Sequence, residues 1–272
     1  MTLTAEPVAD PDGPAGLAGA ERDAAVRLRL VRGNVALLVT PVVIAAGTWW
    51  LHRYRWNLDP DNNRISRQLD WERRLRPQLE QHVSVTLWSA LFVLLIAVPL
   101  GIVLTRPRWR QLGAPVLTVA TSGQAIPAYG LLVFSLGLLG RGTWAMIWAL
   151  TLFTLLPVLR NTIVGLDQVD PAVIEAARGM GYTKSQVLRR IELPLAVPVI
   201  LAGVRTALVI NVGMAALGFV IGAGGFGVTI NAGLDLRLDG VLIVGAVATA
   251  LIALTVDWVA ALAERALRPP GL

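Results

Sequence analysis

From Val83 to Thr105 the chain runs 23 residues without a charged side chain. About 20 apolar residues in a helix cross the hydrocarbon of a bilayer, so this run is long enough to span one. Five similar runs accompany it, at about 34–50, 114–139, 143–159, 195–220 and 241–263. The expected fold is therefore all-α: a polytopic membrane protein with about six transmembrane helices. Composition agrees, since 55% of residues are hydrophobic and 15% charged, against about 25% charged in soluble domains. There is no cysteine, so disulfide and thiol chemistry are excluded. A net charge of +6 could suggest nucleic acid. The arginines, however, flank the apolar runs and form no single basic face, so topology accounts for them and no nucleic-acid partner is expected.

Six spans put both termini on one side. That side carries four Arg in residues 1–33, three in 106–110, five Lys or Arg in 160–190 and two Arg in the tail. The other side has seven Arg in 51–82, with Arg141 and Arg237. The positive-inside rule places both termini and the 160–190 loop in the cytoplasm of a bacterial cell membrane, with the arginine-rich 51–82 segment opposing it. Residues 1–20 read as disordered and 21–33 as a short cytoplasmic helix. Trp49, Trp50, Tyr54 and Trp56 suit an interfacial aromatic belt after the first span. Ile65–Gln81 reads as an amphipathic surface helix. The expected organisation is a cytoplasmic segment 1–33, an extra span and polar loop 34–80, a membrane domain 81–263 and a tail 264–272.

Several spans carry polar groups at membrane depth. In the third, Gln124, Pro127 and Tyr129 interrupt an apolar run, and Gln124–Pro127 reads as a kink that frees carbonyls toward a cavity or as simple packing. In the fifth, Arg205 must face the bundle interior, because a charge there costs about 2.5–3.5 kcal/mol on insertion. Asn211 is a further interior candidate, suited to an interhelical hydrogen bond. These five residues are candidates for a translocation path. Gly222, Gly224, Gly225 and Gly227 cannot form a helix interior without cost and read as a structural bend. Asp257 sits near an edge and reads as solvated.

The chain lacks the Gly-Lys-Ser/Thr of a phosphate-binding loop; its only lysine is Lys184. The two histidines, His52 and His82, both flank spans. No catalytic set, cofactor or metal site is expected.

Residues 170–198 are unlike the runs on either side. Asp170 followed by Pro171 is an N-cap with a first-turn proline. Val173, Ala176, Ala177 and Met180 share a face of the short helix so begun. Thr183 and Gln186 form a capping box for a second short helix, and Pro194 and Pro198 read as a break before the next span. Two short amphipathic helices between spans suit docking in a groove of another protein.

Glu175, Ala176, Ala177, Gly181, Ile191, Leu193 and Pro194 stand at the spacing that resembles the EAA signature of ABC-importer permeases. Residues from about Gln81 to Gly240 are similar to permeases for osmoprotectants. Gln124-Ala125-Ile126-Pro127 resembles that subfamily's Gln-Thr-Ile-Pro, with Ala125 departing. Leu156-Pro157, Arg160-Asn161-Thr162, Gly179-Met180-Gly181 and Ile221–Gly225 also match, the last being shared with methionine-importer permeases. The resemblance implies a permease subunit for glycine betaine, carnitine, choline or proline, paired with a second copy or paralogue in the lipid bilayer. It further implies cytoplasmic ATP-binding subunits that dock on the seven signature positions and an extracytoplasmic solute-binding protein. A permease for another solute such as methionine is the alternative. A stand-alone channel or ion-coupled carrier is more distant, because the spans hold no acid except Asp257.

Overall fold

The computed structural model describes residues 14–58 and 63–267, with side chains from Val35 onward except Ala36. Every regular element among these residues is helical. Helix α1, Pro14–Asn57, contains the boundary between two compact units, Met1–Val43 and Ile44–Leu272. The expected first span, 34–50, is helix within α1. Of the segment expected to be disordered, residues 1–13 lie outside the described residues, whereas 14–20 are already helix.

The remaining helices are α2 Asn63–Gln68, α3 Arg76–Leu104, α4 Gly113–Gln124, α5 Ala128–Leu139, α6 Thr143–Asp167, α7 Pro171–Gly179, α8 Lys184–Val187, α9 Leu193–Ala215, α10 Gly227–Asp235 and α11 Asp239–Ala266. Four stretches are long and apolar enough to cross a membrane: Asn63–Leu104, Thr143–Asp167, Lys184–Ile221 and Asp239–Ala266. A fifth is the pair Arg110–Gln124 and Ala128–Leu139, which bends by 97°.

α3, α6 and α9 form the centre, and α11 packs on α9 and α10. Toward one end of the bundle Val85, Leu132, Met146, Leu150, Ala215 and Ile221 are buried together. Toward the other, Val93, Ala97, Leu159, Leu166, Ala196 and Ala207 are. Small residues set the helix spacing, as expected where lipid gives no hydrophobic drive between helices. A Cβ on Gly203 of α9 would lie 2.9 Å from the Pro157 carbonyl oxygen of α6.

Three expectations need correction, and one helix was not foreseen. The third span is two helices and not one kinked helix: Pro127 has no N–H and disfavours helix at Ile126, so α4 ends and α5 restarts at Ala128. Ile65–Gln81 is not one surface helix. Asp70 accepts a hydrogen bond from the Arg73 N–H at 2.8 Å and caps a π turn, Trp71–Leu75. Arg76–Gln81 then belong to α3, with Pro77 in its first turn. Pro194 and Pro198 do not break the chain, because a π turn, Leu188–Glu192, joins α8 to α9. Pro194 follows that π turn directly, in the first turn of α9, and Pro198 lies inside α9. Finally, α10 follows the glycine run, a helix that the apolar periodicity had not suggested.

Candidate functional site

Local chemistry builds the 170–194 segment. The Asp170 carboxylate accepts from the Ala172 N–H at 2.8 Å, and Pro171 occupies the first turn of α7. Gly181 adopts φ +88°, which turns the chain sharply toward α8 without a Cβ to clash. Thr183 and Gln186 complete a reciprocal capping box at 2.8 and 3.3 Å. Thus the caps expected for both short helices are present. The faces differ from the expected stripe: Ala177 and Val187 are buried, while Val173 and Met180 are exposed. Glu175, Ala176 and Gly181 are exposed, and Ile191, Leu193 and Pro194 are half-buried. Of the seven positions, Glu175, Ala176 and Gly181 therefore face outward at α7 and the turn after it, Ala177 is buried, and Ile191, Leu193 and Pro194 lie in the π turn and the first turn of α9.

An ion pair fixes this segment to the bundle. Arg106, just beyond α3, donates through Nη2 to Glu192 Oε2 at 2.5 Å and through Nη1 to Oε1 at 3.3 Å. Its Nε also donates to the Ile102 carbonyl at 3.2 Å. Glu192, in the π turn, is 5% exposed. Arg110 and Asp167 approach at 3.7 Å beside it. The segment, the end of α6 and the α3–α4 turn are thus tied by charge. Neither Arg106 nor Glu192 stood out in the sequence, because Glu192 occupies an unfixed position of the signature.

The path candidates are not brought together. Gln124 donates to the Phe153 carbonyl at 3.3 Å, while Pro127 and Tyr129 lie exposed at the α4–α5 bend. Arg205 forms a two-point pair with Asp257 of α11, at 2.5 and 2.7 Å. Asp257 is thus an ion-pair partner and not simply solvated. Asn211 is fully buried in a polar network: it donates to Ser89 Oγ at 2.9 Å and accepts from the Thr154 hydroxyl at 3.1 Å. That network continues along α3. His82 Nε2 lies 2.9 Å from the Val212 carbonyl, and Nδ1 accepts from the Phe226 N–H at 3.3 Å. Gln81 accepts from the Gly225 N–H at 3.1 Å, and Gln78 accepts from the Thr229 hydroxyl at 2.6 Å. Gln78, His82, Thr86 and Ser89 recur at spacings of four, four and three, so one polar face was legible in the run.

The glycine run makes a turn at this end. Gly222, Gly224 and Gly225 adopt φ between +76° and +80°, where L side chains are strained. A Cβ on Gly227 would overlap the Ala216 carbonyl oxygen, 1.6 Å away. The turn before α6 joins it, with the Gly142 N–H donating to the Ile221 carbonyl at 2.8 Å.

A family described as binding-protein-dependent transport system inner membrane component matches residues 97–269. The choline transport system permease protein OpuBB of Bacillus subtilis is 38% identical over 71% of this chain and 88% of its own length. The glycine betaine/carnitine/choline transport system permease protein OpuCD of the same organism is 40% identical over 70% and 82%. The osmoprotectant import permease protein OsmY of Salmonella typhimurium is 42% identical over 70% and 80%. Among solved structures, an inward-facing MetNI methionine ABC transporter superposes with a TM-score of 0.63 at 26% identity, covering 72% of this chain and 96% of that one.

Proposed function

This chain belongs to the binding-protein-dependent transport system inner membrane components, and from that premise we propose that it forms the membrane path for an osmoprotectant such as glycine betaine, carnitine, choline or proline. Membership makes it a multi-pass membrane subunit of a transporter and not an enzyme, and implies an ATPase partner and a substrate-binding protein. The observation that carries the solute class is the agreement of relatives 38–42% identical over about seven-tenths of the chain. The methionine transporter matches at 26% and is the weaker guide to solute.

The 170–194 segment is the contact for the ATPase. Glu175, Ala176 and Gly181 give the docking surface, and Ala177, Ile191, Leu193 and Pro194 hold it on α9. Closure of an ATP-bound pair moves this surface, and the movement shifts the spans between inward- and outward-facing states. A second copy or a paralogue completes the path, with both termini and the segment in the cytoplasm. Residues 81–263 are the transport domain, 34–80 an added span and loop, and 1–33 and 264–272 cytoplasmic ends.

The test is uptake of labelled glycine betaine and choline in hyperosmotic medium. Deletion of the chain should abolish it, and complementation should restore it. Uptake of methionine instead, unaffected by either osmolyte in competition, would overturn the solute assignment.

A further inference from the structure

The seven arginines of residues 51–82 oppose the charge rule that orients the other loops, so their placement needs a reason of its own. Arg76 and Arg55 are among those with local partners. Arg76 is held between Glu72 and Glu80 at 3.2 and 3.1 Å, and Arg55 donates to the Leu69 carbonyl. Arg73 and Arg74 differ. Both are exposed, and neither guanidinium has an ion-pair or hydrogen-bond partner among the described residues. They line a cleft of about 300 Å³ together with Gln78, Gln81, Phe219 and the glycine turn at Gly222 and Gly224. A third arginine reaches the same turn: a Cβ on Gly222 would lie 3.7 Å from Arg141 Nε. Among the described residues no carboxylate lines the cleft.

Its place in the fold identifies the side it faces. The glycine turn follows α9, whose other end joins the 170–192 segment. The 23 residues of α9 extend about 34 Å at 1.5 Å per residue, so the cleft and the segment lie at opposite ends of the bundle. If the segment meets the ATPase, the cleft meets the extracytoplasmic solute-binding protein.

We propose that the cleft lined by Arg73 and Arg74, with Arg141 beside its glycine turn, receives acidic side chains of the solute-binding protein, and that this contact bears on the glycine turn that follows α9. The inference rests on the function proposed above and deepens it. Guanidinium forks pair with carboxylates at two points, so exposed and otherwise unpaired arginines suit an acidic protein surface. A free zwitterionic solute would offer a carboxylate too, but its cation would need aromatic faces, and among the described residues Phe219 is the single aromatic residue lining the cleft. The turn is poised to respond, since Gln81 both lines the cleft and accepts from the Gly225 N–H.

The experiment uses the full transporter, with its ATPase, in nanodiscs of phosphatidylcholine, which carry no net lipid charge. Binding of the cognate solute-binding protein is measured against salt, and ATP hydrolysis is measured with and without it. The double variant R73E/R74E should weaken binding about tenfold or more and flatten its salt dependence, with basal hydrolysis unchanged. R141E should act in the same direction, and R67E, at an exposed arginine outside the cleft lining, should not. Wild-type affinity in R73E/R74E alongside normal stimulation in the wild type overturns the docking site alone. No stimulation by the binding protein in the wild type overturns the underlying function as well. A loss of direct labelled-solute binding with unchanged binding-protein affinity assigns the carboxylate to the solute and refutes the proposal.

Discussion

The Arg106–Glu192 pair separates two ways in which a charged contact can matter. Glu192 is nearly enclosed, with its side chain 6% exposed, whereas the Arg106 side chain keeps 34% exposure. Removing one member of a fully buried pair costs about 3–5 kcal/mol, because the survivor is left charged and unpaired, while exposed pairs are worth about 1 kcal/mol or less. Arg106→Met strands a buried carboxylate and should cost about 3 kcal/mol. Glu192→Gln leaves a cation that can turn to water and still donate to the Ile102 carbonyl, so it should cost about 1–2 kcal/mol. The double variant R106M/E192M removes both charges and should be less destabilised than R106M alone. Thermal unfolding of the purified transporter in detergent gives the order directly, with R106M lowest. ATP hydrolysis and uptake, measured in parallel, should show hydrolysis retained and uptake per ATP reduced if the 170–194 segment, which the pair ties to the end of α3, meets the ATPase as proposed. Additive losses in the double variant, or E192Q as damaging as R106M, would refute the asymmetry argument.

Three further outcomes follow from other contacts. Gly181→Asp forces a side chain into φ +88° at the exposed end of α7 and should abolish co-purification with the ATPase while the spans still insert; Ala177→Phe should do so by overfilling a site that is 1% exposed. In the glycine turn, Gly227→Ala should be worse than Gly224→Ala, because the first meets the Ala216 backbone and the second the end of the Gln81 side chain; Gln81→Ala should rescue part of the Gly224→Ala loss in expression and thermal midpoint, but not the Gly227→Ala loss. Asn211→Leu should cost only about 1 kcal/mol, because the Ser89 hydroxyl keeps the Thr86 carbonyl as its acceptor and the Thr154 hydroxyl, freed from Asn211, has the Leu150 carbonyl within 2.8 Å; a midpoint loss as large as that of R106M would contradict this account.

Much of the molecule was legible in one dimension. A run of 23 uncharged residues must find a helix in lipid, and Asp170-Pro171 and Thr183–Gln186 begin helices wherever the chain goes. These signals act over a few residues, through the backbone's need for hydrogen bonds and the side chains' preference for water or hydrocarbon. The 170–194 pattern and the glycine turn are of this kind, and so was the proline at 127, although only the structure set its effect at 97°. Which charges meet was a different matter. Arg106 and Glu192 are 86 residues apart, and Arg205 and Asp257 are 52 apart. Asp257 looked solvated because nothing near it in sequence could answer it. Partner choice depends on which helix faces approach, and in a membrane bundle that is decided by small residues such as Gly203, which let α6 and α9 come close. Local chemistry determined the helices, their caps and their likeness to transport components; only the packing of α3, α6, α9 and α11 decided which buried polar groups pair, and which arginines remained free to face outward.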